Sequence, residues 1–384
     1  MLSEILFWSA LTFIFYAYVG YPILITLLSF IVNSKVDKSD IEPSVTLLIT
    51  AYNEEKDIAL KLDNSLALDY PNDKFEIVVA SDGSTDATDD IVRSYQANEA
   101  GVKVVLHRVE GRVGKTQTQN SAVKICSGDI LIFSDAASMY EKDVIRAFVR
   151  NYADPKVGAV SGMYTYEEKK GASVGLATII FWKLENFIKS RQTKIRTITG
   201  CCGCIYSLRK NLYVDLPATI ISDLVEPLMI LQKGYRIVFE PEALALEETA
   251  GKTADEFKMR IRVIVRGMTG MLFARNLYNP FRYPFVALQL ISHKVMRWLV
   301  PVFCLIALGA NASLLFTSPF YTLFFAGQLL FYAFALIGYF LEKKGIHMMI
   351  FYLPLYFCIV NAASLISMFK VIKGENIVTW QTQR

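Results

Sequence analysis

The sequence predicts an α/β domain with a mostly parallel sheet, carried between membrane-spanning helices. Three observations predict it. Short apolar runs alternate with helical stretches of roughly 10 to 15 residues through the middle of the chain. Two of those runs end in aspartate, at Asp82 and Asp135. Residues 35–282 carry nearly all the charge, while both ends are almost uncharged.

The elements follow in order. Val45 to Ile49 reads as a strand, and Ala51-Tyr52-Asn53-Glu54-Glu55 leads into a helical stretch. Phe75 to Ala80 is a second strand, with Asp82-Gly83-Ser84-Thr85-Asp86 as a turn and helix N-cap. A helix from about Asp86 to Asn98, a strand at Val102 to Leu106 and a helix from about Lys115 to Ile125 come next. The strand Ile130 to Phe133 closes the series before Ser134-Asp135. Such alternation implies right-handed crossovers. Ligands of open α/β sheets bind beyond the carboxyl ends of the strands, where Asp82 and Asp135 lie. Two carboxylates there suit a nucleotide base and a metal–diphosphate.

The 384-residue chain is 53% hydrophobic, with a mean hydropathy of +0.34, too apolar for an ordinary soluble protein. A net charge of +4 and the lack of a basic–aromatic pattern argue against nucleic acid as a partner. The six cysteines show no pairing or zinc spacing; Cys201, Cys202 and Cys204 read as small residues in a tight loop of a reducing compartment. His107, His293 and His347 have no neighbour at metal-ligand spacing and read as structural. A Gly-x-Gly-x-x-Gly or Walker lysine motif is absent, which excludes the common dinucleotide and P-loop sites.

Ile5 to Ser34 holds one membrane helix, and residues 1–34 form the first domain. Lys35 and Lys38 follow it, which places the N-terminus outside and the next domain, residues 35–275, in the cytosol. Residues 276–384 comprise an interfacial helix at Tyr283 to Ser292 and about three membrane helices. These are Trp298 to Leu341, broken at Asn311 and Ser318-Pro319, and Ile346 to Phe369. A full third C-terminal span would put Lys370, Lys373 and Arg384 outside, against the positive-inside rule, unless it re-enters near Pro354. The spans carry no buried charge of the kind a transporter uses.

Gly111-Arg112-Val113-Gly114-Lys115 opens a helix, and free amides with two cations are a seat for a diphosphate or simply a solvated loop. Together, the motifs Ala51 to Glu55, Ser81 to Asp86, Gly114-Lys115 through Asn120, Phe133 to Ala136, Pro155 to Gly162, Asp223 and Gly234 to Ala243 resemble membrane-bound family 2 glycosyltransferases. Those enzymes have a GT-A (Rossmann-like) fold and include hyaluronan, chitin and cellulose synthases and bacterial exopolysaccharide enzymes. The resemblance covers roughly residues 44–270. It implies a metal-dependent, inverting hexosyltransferase of a bacterial inner membrane, with its catalytic domain cytosolic. The donor would be a nucleotide sugar, a UDP-sugar by the family pattern, and the acceptor a lipid or glycan.

The resemblance also implies roles. Tyr52, Glu54 and Asp82 would contact uracil and ribose, Lys115 would approach the diphosphate, and Asp135 would hold Mg²⁺ or Mn²⁺. Asp223 would be the general base. Lys258, Arg262 and Arg266 recur at i, i+4 and i+8, one cationic stripe that would clamp the diphosphate or touch lipid head groups. Arg260 points elsewhere. Trp182 belongs to the acceptor, the core or the membrane interface. Three departures stand out. Ala137 replaces the second acid of Asp-x-Asp, Ser222 precedes the base where an acid is common, and Met259 to Val263 lacks the Gln and Trp of Gln-x-x-Arg-Trp. Glu226 is a fallback base. Ala137 and Ser222 equally suit a catalytically inactive membrane subunit of this fold.

Overall fold

The computed structural model describes residues 1–167, 174–248, 253–346, 348–375 and 377–378, with backbone alone at 166–167, 174–178, 247–248 and 253–256. His347 and Arg384 therefore lie outside the described residues.

Val45–Ala51 (β1) and Phe75–Ser81 (β2) are buried along their whole length, as strands covered on both faces require. Lys103–Arg108 (β3) and Ile130–Asp135 (β4) complete a parallel group in the order β3-β2-β1-β4. Met139–Tyr140 (β5), Val157–Glu167 (β6), Ile205–Arg209 (β7) and Arg236–Glu248 (β8) extend it to eight strands, ending β4-β7-β6-β8-β5. β7 runs antiparallel to β4 and β6. The pleat of β1 sends Val45, Leu47, Ile49 and Ala51 to one core with Ile58 and Leu62, and Leu48 to the other with Ala122 and Val123.

Some boundaries differ from the sequence reading. The helix begun near Asp86 is α-helical only over Thr88–Ser94, because Asn98 donates to the carbonyls of Tyr95 and Val102 and ends it. β3 runs on to Arg108 because that residue pairs with Ser81.

Among the described residues, four helices are long and apolar enough to cross a membrane: Leu2–Val32, Pro284–Ser313, Pro319–Glu342 and Met349–Ile372. The segment expected to be a separate interfacial helix, Tyr283 to Ser292, runs on through a π-helical turn at Leu290–Val295 into the first C-terminal span. Pro354 does not break the last helix. This helix leans along helix Thr253–Phe273, where Ser367 donates to the Ile261 carbonyl at 3.3 Å and Arg260 reaches Tyr356. Val378 then closes on the sheet domain, its carbonyl 2.8 Å from where a β-carbon on Gly114 would sit. The chain beyond the last helix therefore returns to the sheet domain, and Lys370 and Lys373 lie at that end of the helix.

The linker after the first helix is pinned as well. Arg236 donates to the carbonyls of Lys35 and Ser34, and Lys38 pairs with Glu240 at 2.6 Å. Glu240 is fully buried and also accepts from Arg150 and Asn151, each at 2.8 Å. Removing the acid of a buried ionic hub strands its partners' charges. Glu240→Gln is expected to cost about 3 kcal/mol in denaturant unfolding of the detergent-solubilised protein. Glu242→Gln, at a carboxylate 68% exposed, should stay within about 0.5 kcal/mol.

Candidate active site

The register sets the site. Ala51 pairs with Ser81 and Thr50 with Asp135, so three strands present their carboxyl ends at one level. Asn53 adopts φ +52°, which Asn tolerates, and its side chain accepts from the Thr85 N–H at 2.8 Å. This ties the first strand-end loop to the second. The Tyr52 ring stacks under the Arg112 guanidinium at 3.7 Å. Glu54 is half-buried beside it, its N–H donating to the Thr88 hydroxyl at 2.8 Å.

Asp82, just past the end of β2, turns toward the loop before Lys115. It is fully buried and accepts from the amides of Val113 (2.8 Å) and Gly114 (3.1 Å) and from the Thr118 hydroxyl (3.0 Å). Its carboxylate holds the loop before Lys115 rather than facing an open cleft. Gly83, at φ +69°, lets the loop approach: a β-carbon there would lie 2.4 Å from the Gly111 carbonyl oxygen.

Lys115 begins helix Lys115–Val123 and joins the rest of the site. Its ammonium pairs with Asp135 and donates to the Gly203 carbonyl at 3.3 Å. Gly203 in turn faces Asp223, whose Oδ2 lies 2.6 Å from where a β-carbon on Gly203 would sit. Only glycine admits that carboxylate. Asp135, Lys115, Gly203 and Asp223 thus form one continuous line. Burial pushes the Lys115 ammonium down, but Asp135 and Asp223 outweigh it, and Lys115 ends above its ordinary value. Burial raises the Asp223 carboxyl, opposed by Lys115, Arg266 and Lys294 and reinforced by Asp135. The Asp223 Oδ1 atom is buried with no hydrogen-bond partner among the described residues.

Asp223 sits in the first turn of helix Ser222–Gln232, where a carboxylate meets the positive end of the helix dipole. Ser222, in the place of the usual acid, donates to the Gln119 side-chain Oε1 at 2.7 Å and so fixes that first turn. Glu226, one turn on, is buried and accepts from the Tyr206 hydroxyl at 2.9 Å. Burial, with Asp223 nearby, pushes it up to about 8. Both causes favour its protonated form at neutral pH, which weighs against the fallback role expected from the sequence.

The cationic stripe divides. Lys258 is exposed. Arg262 is half-buried and within charge range of Asp135, with no hydrogen bond or ion pair among the described residues. Arg266 is buried and donates to the Ile220 carbonyl at 2.6 Å and the Thr116 hydroxyl at 2.9 Å. It braces the loop before Asp223. Arg260 lies over the rings of Phe181 and Tyr356. Trp182 packs on the core beside Tyr164, ring centroids 4.8 Å apart. Among the described residues, no three or more His, Cys, Asp or Glu side chains group to hold a metal.

Sequence reasoning missed Lys61. It is fully buried, lies over the Tyr140 ring at 3.7 Å and donates to the Ser138 carbonyl at 2.5 Å. It steadies the segment that follows Asp135. Burial lowers it to about 7, against Cys204 and Asp135. The signal was available: Lys61 shares the buried helix face of Ile58, Leu62 and Ser65.

Residues 46–216 match the family described as Glycosyl transferase family 2. That segment of the sheet domain is similar to glycosyltransferase family 2. Over 226 residues the chain is 30% identical to poly-beta-1,6-N-acetyl-D-glucosamine synthase of Staphylococcus aureus (strain COL), covering 57% of this chain and 53% of that one. It is 25% identical over 240 residues to an N-acetylglucosaminyltransferase of Rhizobium sp. (strain N33), covering 58% and 52%. It spans about half the length of the curated relatives it matches. The fold matches the mannosyltransferase PcManGT of Pyrobaculum calidifontis, solved in complex with GDP-Man and Mn²⁺, with a TM-score of 0.73, 22% identity and coverage of 97% and 99%.

The protonated state of Glu226 is testable. Between its ordinary value of 4.5 and about 8 the folded state holds one more proton than the unfolded state. Stability therefore falls as pH rises through that window. Glu226→Gln is expected to remove most of that decline in thermal unfolding, and an unchanged pH dependence would contradict the assignment.

Proposed function

We propose that the chain moves a sugar from a nucleoside diphosphate donor to an acceptor hydroxyl, with inversion, at the cytosolic membrane face. The observation that carries this reading is the Lys115 ammonium, shared by Asp135 and the Gly203 carbonyl beside Asp223. It brings a cation for the diphosphate within reach of a buried, unpartnered carboxylate oxygen. The named relatives in Staphylococcus and Rhizobium support N-acetylglucosamine as the sugar.

The acceptor oxygen attacks the anomeric carbon while the bond from that carbon to the diphosphate oxygen breaks. The bonding pair leaves with the nucleoside diphosphate, and the hydroxyl proton passes to Asp223. Lys115 and Arg262 balance charge on the departing phosphates. Arg112 and Tyr52 form a stacked platform at the strand ends where a base would lie, with Glu54 beside it for the ribose. The donor set fits Mg²⁺ or Mn²⁺: Asp135 is 43% exposed, and one carboxylate completed by diphosphate and water is a common arrangement for Mg²⁺. When bound, such an ion neutralises charge on the leaving group.

Nucleoside diphosphate release should be measured on the detergent-purified protein across a sugar-nucleotide panel with Mg²⁺ or Mn²⁺ and with lipid and oligosaccharide acceptors. Asp223→Asn and Asp135→Asn are each expected to lower turnover at least about 10²-fold, and only Asp135→Asn to weaken metal-dependent donor binding. Because Asp223 must be ionised and its carboxyl is raised, the acid limb of kcat/KM should lie above the ordinary carboxylate range. Donor binding without release from any donor would instead favour an inactive subunit.

A further inference from the structure

A buried polar seam runs from Asp223 toward the first apolar helix. On helix Val174–Ile195, Trp182, Glu185, Lys189 and Gln192 share one face at helical spacing. Across from them, the π-helical turn Leu290–Val295 supplies His293 and Lys294, and Arg297 follows. Glu185 takes the Arg297 Nη1 donor and meets His293 Nε2 at 3.2 Å. Gln192 lies 3.2 Å from His293 Nδ1 and donates to the Tyr21 hydroxyl at 2.6 Å. Tyr16 meets Ser292 at 2.9 Å. Tyr16 opens the other π-helical turn, Tyr16–Gly20, so the two irregular turns of the apolar helices face each other at the end of the seam. Such turns cluster at functional sites.

Donors in this seam outnumber acceptors. Lys189 is 7% exposed, and among the described residues it has no hydrogen bond or ion pair; its ammonium lies over the rings of Trp182 and Phe239, each at 5.9 Å. Lys294 is half-buried and likewise has no hydrogen bond or ion pair among the described residues. Arg297 keeps Nε and Nη2 buried without an acceptor. Glu185 is already engaged. Arg297 holds two buried donors without acceptors, and the Lys189 side chain is buried beside it without an acid of its own, so the seam has capacity for further acceptor oxygens. The place is informative. Lys294 acts on the Asp223 charge, and Lys189 acts on Cys201, whose N–H donates to the Asp223 carbonyl at 2.9 Å.

We propose that Lys189, Lys294 and Arg297 bind the phosphate of a lipid-linked acceptor, one whose sugar hydroxyl reaches Asp223. The proposal rests on the glycosyl-transfer reading above and names its acceptor class. A phosphate offers several oxygens to several N–H donors at once, which a neutral glycan does not. The far end of the seam lies on Tyr16 and Tyr21 of a helix apolar enough to cross a membrane, which places the anion in lateral reach of the bilayer.

The test uses the full chain in nanodiscs with the best donor from the panel. Three acceptors are compared: a prenyl-diphosphate-linked N-acetylglucosamine, the neutral octyl glycoside and the water-soluble sugar 1-phosphate. The first is expected to have the lowest KM by about tenfold or more. Lys189→Gln and Lys294→Gln are each expected to raise that KM by about tenfold. UDP affinity, measured separately, should remain at the wild-type value and shows that the variants are folded. Equal use of the neutral glycoside, equal use of the soluble phosphate, or a wild-type KM in both variants would overturn the proposal while leaving glycosyl transfer intact. Absence of donor turnover with every acceptor would instead defeat the transfer reading itself.

Discussion

The site depends on one half-buried cation. Lys115 stands at the start of a helix, its amine between the Asp135 carboxylate and the Gly203 carbonyl. Its positive charge lies between two acids, and Asp135 and Asp223 together hold the ammonium above its ordinary value despite burial. Lys115 has to be placed by something other than its own charge. Asp82 does this by taking the two amides just before it. That strand-end acid therefore shapes the loop that carries the cation.

The same economy of buried charge recurs away from the chemistry. Glu240 gathers Lys38, Arg150 and Asn151, and so joins the linker of the first apolar helix to the far half of the sheet. Arg266 spends its donors on backbone carbonyls near Ile220, which holds the approach to Asp223. These hydrogen bonds fasten the sheet domain to the apolar helices by polar ties as well as by apolar packing. In the seam of Lys189, Lys294 and Arg297 the donors exceed the acceptors, and that surplus is why it reads as a binding site.

Much of the fold was legible. The apolar runs at Val45, Phe75 and Ile130 had to be strands covered on both faces, since each is continuous, short and followed by turn chemistry. The uncharged ends had to be membrane-length helices. Less legible were elements whose ends depend on partners. β3 extends because Arg108 has Ser81 to pair with, and the interfacial segment runs on into a span because a π-helical turn carries it past His293 and Lys294. Local sequence does not encode a neighbour's register.

The site divides in the same way. Sequence by itself determined which residue types lie at the strand ends, because turns and carboxylates are local features in a fixed order, and order suffices to resemble a family. Tertiary structure alone decided which of those groups meet. It turned Asp82 inward, set Arg266 on the loop before Asp223 and Lys61 behind Asp135, and brought Gly203 against Asp223. Each outcome depends on desolvation and hydrogen-bond partners supplied by segments tens to hundreds of residues away, and those exist only once the chain has folded.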